Sequence, residues 1–174
     1  QTLSVNTTGL TTFAGAVGAT MALTSLTTDA GGGTALNGGS VATTGAQSYG
    51  DAVTLGANTT LSGGSGSFSG VSGGGFDLTL NLGGTTALDG TFTNIDDLTT
   101  GNGGTTTLSG TITTTGVQVY NDAVDLVGAT TLNAGAGDAV TFAGTLNGAQ
   151  TLSVNTTGLT TFAGAVGATM ALTS

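Results

Sequence analysis

The stretch Gln1-Thr2-Leu3-Ser4-Val5-Asn6-Thr7-Thr8-Gly9-Leu10-Thr11-Thr12-Phe13, running on to Ser25, returns letter for letter as residues 150–174. An identical run of 25 residues at an offset of 149 marks one full repeat and the start of the next in a tandem array. The chain therefore reads as one continuous segment, residues 1–174, with residues 1–149 as the period and residues 150–174 opening its successor. In such arrays each unit buries its apolar face against its neighbours, so length does not count domains.

A weaker duplication lies inside the period. Residues 39–63 align without gaps on residues 110–134, sharing Thr-Thr-Gly-x-Gln-x-Tyr-x-Asp-Ala-Val-x-Leu at an offset of 71. A finer beat runs beneath both. Threonines precede Phe13, Leu36, Leu61, Leu88, Leu108, Leu132 and Phe162, with a mean step of about 25 residues, the length of one supersecondary unit in a repeat protein. Gly often follows two residues later, then another apolar residue, as in Leu88-Asp89-Gly90-Thr91-Phe92 and Phe142-Ala143-Gly144-Thr145-Leu146.

Local patterning selects strands. Phe76-Asp77-Leu78-Thr79-Leu80-Asn81-Leu82 alternates apolar and polar without a slip, which predicts Phe76, Leu78, Leu80 and Leu82 inward. Asn37-Gly38, Asp89-Gly90 and Gly73-Gly74-Gly75 supply sharp turns between such runs. Lys, Arg and Glu, all good helix formers, are absent, whereas β-branched Thr and Val abound. The 34 Gly follow no triplet period, which excludes collagen, and the absence of Pro suits a continuous ladder in which nearly every N–H is needed. The fold expected is an all-β, single-stranded parallel β-helix, a β-solenoid of about 25 residues per coil and six coils per period, with the seven residues of the beat in one buried column. Phe142 is the weak point of that column, since it opens its own corner and could add a seventh coil. The rival fold is a string of β-sandwich domains, which would organise around large side chains; the chain has no Trp and two Tyr. Disorder is opposed by the regular apolar punctuation.

Charge excludes several functions. Nine Asp, with no Lys, Arg or His, give a formal charge of −9, so the chain has nothing with which to neutralise phosphates and is repelled by anionic lipid. No partner nucleic acid and no membrane insertion are expected; no apolar run approaches the ~20 residues of a membrane helix. With no Cys there is neither disulfide nor thiol-ligated metal. The close carboxylate pairs are Asp96-Asp97 and Asp122 with Asp125, and no other side chain is present to tune them for acid–base work. Surface solubilisation explains them, so the chain is not expected to be an enzyme, and no catalytic or cofactor-binding residue is assigned. Calcium would need oxygen ligands, but the Gly-rich stretch 135–140 occurs once rather than every nine residues, so no metal ligand is assigned either. Asp51 and Asp122, equivalent in the two half-repeats, are expected to cap the turns after Tyr49 and Tyr120. Behind the corner Gly, a Thr-x-Thr grid of the kind that binds ice fits Thr91-Phe92-Thr93 and Thr111-Ile112-Thr113, but the matching positions read Ala16-Val17-Gly18 and Ser40-Val41-Ala42, so the grid is broken and ice binding is not expected.

The strings Thr43-Thr44-Gly45-Ala46-Gln47-Ser48-Tyr49-Gly50-Asp51-Ala52-Val53-Thr54-Leu55 and residues 140–155 resemble the repeat regions of giant bacterial surface proteins, the filamentous-haemagglutinin-like exoproteins and autotransporter adhesins. The resemblance implies a right-handed parallel β-helix, secretion, and a role in adhesion or cell-surface fibres. Taken together, the residues and the resemblance lead us to expect a non-catalytic extracellular structural protein, the shaft of a fibre or filament. Its expected partners are copies of itself, stacked head to tail. The alternative is an adhesin stalk whose exposed Thr, Asn and Asp bind surfaces or glycans directly.

Overall fold

The computed structural model describes residues 1–173, which form a single parallel sheet wound into a solenoid with no helix. Every strand pairing is parallel. Each coil has three faces. On the first face, the inward residues Leu3, Leu26, Gln47, Gly66, Thr86, Thr106, Val124, Leu146 and Val166 stack in register, marking about eight turns. On the second face Val53, Val71, Phe92, Ile112, Leu132 and Val154 stack. On the third, Val17, Val41, Leu61, Leu80, Thr100, Tyr120, Phe142 and Phe162 do so.

The register corrects the expected coil. Steps along the first face are 18 to 23 residues, not about 25. The seven residues of the beat accordingly divide among all three faces: Phe13, Leu36 and Leu132 on the second, Leu61 and Phe162 on the third, Leu88 and Leu108 on the first. Phe142 does add the extra coil, lying directly beneath Phe162. The cause is that threonines before an apolar residue tag strands on any face. One corner, apolar-x-Gly-x-apolar, likewise serves everywhere: Leu88 to Phe92 turns from first face to second, Phe13 to Val17 from second to third, and Phe142 to Leu146 from third to first. At the stacked corners Gly90 and Gly110, φ is 103° and 87°, and a Cβ on Gly110 would collide with the carbonyl oxygen of Gly90.

The core holds the expected strip of Leu, Val and Phe, but buried threonines, Gln47, Gln118, Asp51 and Asp122 share it. Leu78, Leu80 and Leu82 are buried and Phe76 is partly so, while Asp77, Thr79 and Asn81 alternate outward. Aromatic rings stack along the axis: Tyr49 on Phe68 with centroids 5.3 Å apart, then Tyr120, Phe142 and Phe162 at successive separations of 5.1 Å.

The identical 25-residue stretches occupy different faces. Leu3 stands on the first face, in register with Leu26, whereas its repeat equivalent Leu152 stands on the second, beside Thr130. Likewise Phe13 is on the second face and Phe162 on the third; Val17 is on the third and Val166 on the first. One period of 149 residues therefore winds seven turns and one further face. Tyr49 and Tyr120, equivalent in the two half-repeats, also stand on different faces, the first and the third.

Candidate functional site: inner polar clamps and the acidic corner

The shared string of the half-repeats folds into a polar clamp inside a core that also buries threonines such as Thr34, Thr86, Thr100 and Thr106. Alternation on the strand sends Gln and Tyr inward together, and both then need partners. Tyr120 donates its hydroxyl to Gln118 Oε1 at 2.9 Å, and Gln118 Nε2 donates to the Asn133 carbonyl at 2.9 Å and to Thr114 Oγ1 at 3.2 Å. Thr114 in turn donates to the Gly116 carbonyl at 2.8 Å. The earlier half-repeat matches it: Tyr49 donates to Gln47 at 3.0 Å, Gln47 to the Ser62 carbonyl at 2.9 Å and to Thr43 at 3.3 Å, and Thr43 to the Gly45 carbonyl at 2.8 Å. Burial pushes both phenols well above the usual tyrosine range. The arrangement ties one coil to the next corner; it holds no open substrate space.

Asp51 and Asp122 sit just beyond these clamps and are buried, but they do not cap their own turns as expected. Each reaches back to the preceding coil: Asp51 Oδ1 accepts from the Gly32 N–H at 2.8 Å, and Asp122 Oδ1 from the Gly103 N–H at 2.9 Å. Asp29 does the same for the Thr7 N–H at 3.0 Å. These partners lie about 20 residues back along the chain, one coil away, beyond the reach of any local cap.

The second-to-third corner carries an axial line of side-chain ties. Asn58 Nδ2 donates to Asp77 at 2.7 Å, the Asp97 N–H donates to Asp77 at 3.2 Å, and the Val117 N–H donates to Asp97 at 2.8 Å. Asp96 points away, accepting from the Thr115 hydroxyl at 2.9 Å, so the adjacent carboxylates Asp96 and Asp97 serve different partners. Asp122 is buried while Asp125 is exposed on the first face. Among the described residues, no group of three or more acidic side chains is placed to hold a metal.

The register also redraws the hydroxyl grid. Residues 16–18 turn onto the third face, so they never belonged in a row with Thr91-Phe92-Thr93. On the second face Thr91, Thr111, Thr131 and Ser153 form one outward row, and Thr113, Asn133 and Asn155 another. The second row is already engaged with itself, Asn155 donating to Asn133 at 2.9 Å and Asn133 to Thr113 at 3.1 Å.

No family model, no curated protein and no solved structure matches this chain.

Proposed function

We propose that the chain is a non-catalytic, extracellular structural protein, a segment of the shaft of a cell-surface fibre built from tandem solenoid repeats, wound right-handed. The observation that carries this reading is the seamless junction between repeats. The second copy of the 25-residue sequence lies on the first copy's last full coil as one more turn, Leu152–Asn155 pairing with residues 130–133 and Thr160–Phe162 with Val140–Phe142. Two of the three faces carry the parallel ladder across this junction in register and the first is joined by the single bridge Leu146 to Val166, so further repeats would extend the same rod. Right-handed winding follows the strong preference of parallel crossovers. The nine carboxylates, with no cation to pair them, keep neighbouring shafts apart in solution.

The test is a chain carrying three 149-residue periods, imaged beside the chain of one. With coils ~4.8 Å apart, each added period should lengthen the particle by about 35 Å without widening it. A particle that grows in all directions would end the shaft reading.

A further inference from the structure

We propose that Asn102 is a site of self-modification, at which the backbone nitrogen of Gly103 closes on the Asn102 side-chain amide to form a succinimide and Asp122 of the next coil takes the Gly103 proton. The substrate is the chain's own asparagine, and water completes the reaction.

An Asn-Gly pair closes this ring readily, because glycine puts no Cβ in the way of its nitrogen. The chain has three such pairs, Asn37-Gly38, Asn102-Gly103 and Asn147-Gly148. Packing separates them. A Cβ on Gly38 would press on the Gly15 carbonyl and one on Gly148 on the Leu126 backbone, whereas no atom lies within 4 Å of that point at Gly103. The side-chain oxygen of Asn37 also packs over Gly56. Asn102 is exposed, and its φ of 113° is a conformation that non-glycine residues seldom hold. Room for the ring and a strained backbone coincide at this pair.

The base is already in place. The Gly103 N–H donates to Asp122 Oδ1 at 2.9 Å, a separation suited to proton transfer. Asp122 is buried, and its Oδ2 has no partner among the described residues. The equivalent carboxylate of the earlier half-repeat is placed differently. Asp51 accepts from the Gly32 N–H at 2.8 Å and from the Thr34 hydroxyl at 3.4 Å, and the residue before that N–H is Gly31, which has no side chain to attack. Thr106 stands beside Val124 as Thr34 stands beside Val53, yet it donates to Thr100 at 3.0 Å. The second half-repeat alone joins an asparagine, an open glycine and a carboxylate with a spare oxygen.

The atoms balance without oxidant or reductant. The Gly103 nitrogen bonds to Asn102 Cγ as its proton passes to Asp122 Oδ1. The bond from Cγ to Nδ2 breaks, and Nδ2 leaves as ammonia with a proton drawn from water. The hydroxide left behind opens the ring at either carbonyl, and Asp122 returns its proton to the Gly103 nitrogen. Opening at the side-chain carbonyl gives aspartate at position 102. Opening at the main-chain carbonyl gives isoaspartate, which adds a methylene to the backbone. Either product adds a negative charge next to the bond from Gly103 to Asp122. The change falls between Gly101 on the third face and Thr105 on the first, so it acts on one corner of one coil. In the shaft proposed above, that corner recurs once in each period.

The experiment follows the full chain by peptide mass spectrometry during incubation near neutral pH, folded and, in parallel, unfolded in denaturant. Conversion of amide to acid is scored at each Asn-Gly pair, and aspartate is separated from isoaspartate by chromatography. Asn102 should convert several-fold faster in the folded chain than in the unfolded one, while Asn37 and Asn147 convert more slowly when folded. Asp122→Asn keeps an oxygen to accept the Gly103 bond but takes no proton, so it should slow Asn102 several-fold and leave Asn37 unchanged. Asp51→Asn removes the matching carboxylate at Gly32 and should leave the Asn102 rate as it was. Hydrogen exchange checks that each variant is folded; if Asp122→Asn is not, the ratio of folded to unfolded rates in the unaltered chain decides. Asn102 converting no faster folded than unfolded overturns the inference. A folded Asp122→Asn variant with an unchanged Asn102 rate overturns it as well.

Discussion

Tyr120 gives its hydroxyl proton to Gln118 Oε1 at 2.9 Å, two residues earlier on the same strand and inside the core. That bond is one link of a chain that reaches the Asn133 carbonyl on the second face of the next coil, so its parts fail unequally. Gln118→Ala leaves the Tyr120 hydroxyl, Thr114 and the Asn133 carbonyl each short of a partner and opens a cavity, and should cost about 3 kcal/mol. Tyr120→Phe leaves only the Gln118 oxygen unsatisfied and should cost about 1–2 kcal/mol. Denaturant unfolding of the two variants checks the order; equal costs would show that the clamp is not a connected unit.

The phenols set an alkaline limit. Both are raised by burial, so the folded state keeps protons that the unfolded chain releases above its ordinary tyrosine range near ~10. The stabilisation is complete below that pH and declines as pH climbs toward the folded values. Each buried Tyr should then remove roughly 1 kcal/mol or more per pH unit. Thermal melts between neutral and strongly alkaline pH should show the decline, and Tyr49→Phe/Tyr120→Phe should flatten it despite starting less stable.

Leu80 and Thr79 are chain neighbours on opposite sides of the third face. Leu80 is fully buried between Leu61 and Thr100, whereas Thr79 faces outward. Leu80→Asp should destabilise by several kcal/mol, since it buries an unpaired carboxylate, and Thr79→Asp by less than ~1. Unfolding midpoints that coincide would reverse the assignment of inside and outside.

Two glycines separate strain from collision. Gly103 has φ of 86° with open space where a Cβ would go, and Gly110 has φ of 87° with the Gly90 carbonyl in that place. Gly103→Ala should cost about 1 kcal/mol from backbone strain alone. Gly110→Ala adds the displacement of a neighbouring coil and should cost clearly more; calorimetry on both variants separates the two contributions.

How much of this was legible can be judged from individual residues. The alternation through Leu78, Leu80 and Leu82 is local, and period-two patterning identified the buried side correctly. The identity of residues 150–174 with residues 1–25 was equally plain, because identity needs no physics. The length of the coil was not. Thr59-Thr60-Leu61 and Thr106-Thr107-Leu108 look alike because each must enter a strand, yet they enter different faces. Nothing within ten residues tells Leu61 from Leu108; the distinction lies in what is stacked above and below. The roles of Asp51 and Asp122 were hidden for that reason, as their partners Gly32 and Gly103 lie a coil away.

Residues 14–24 touch the next coil through the isolated bridges Val17 to Val41 and Leu23 to Thr43, where neighbouring turns have strands. The repeated stretch meets its predecessor in the same sparse way at Leu146 and Val166. In the shaft proposed above, bending would fall where the cross-section is least tied, so every period would contribute one hinge. Because each period advances by a third of a turn, these hinges lie at three azimuths in rotation. The rod would then yield equally to a sideways force from any direction, like a cable rather than a ribbon.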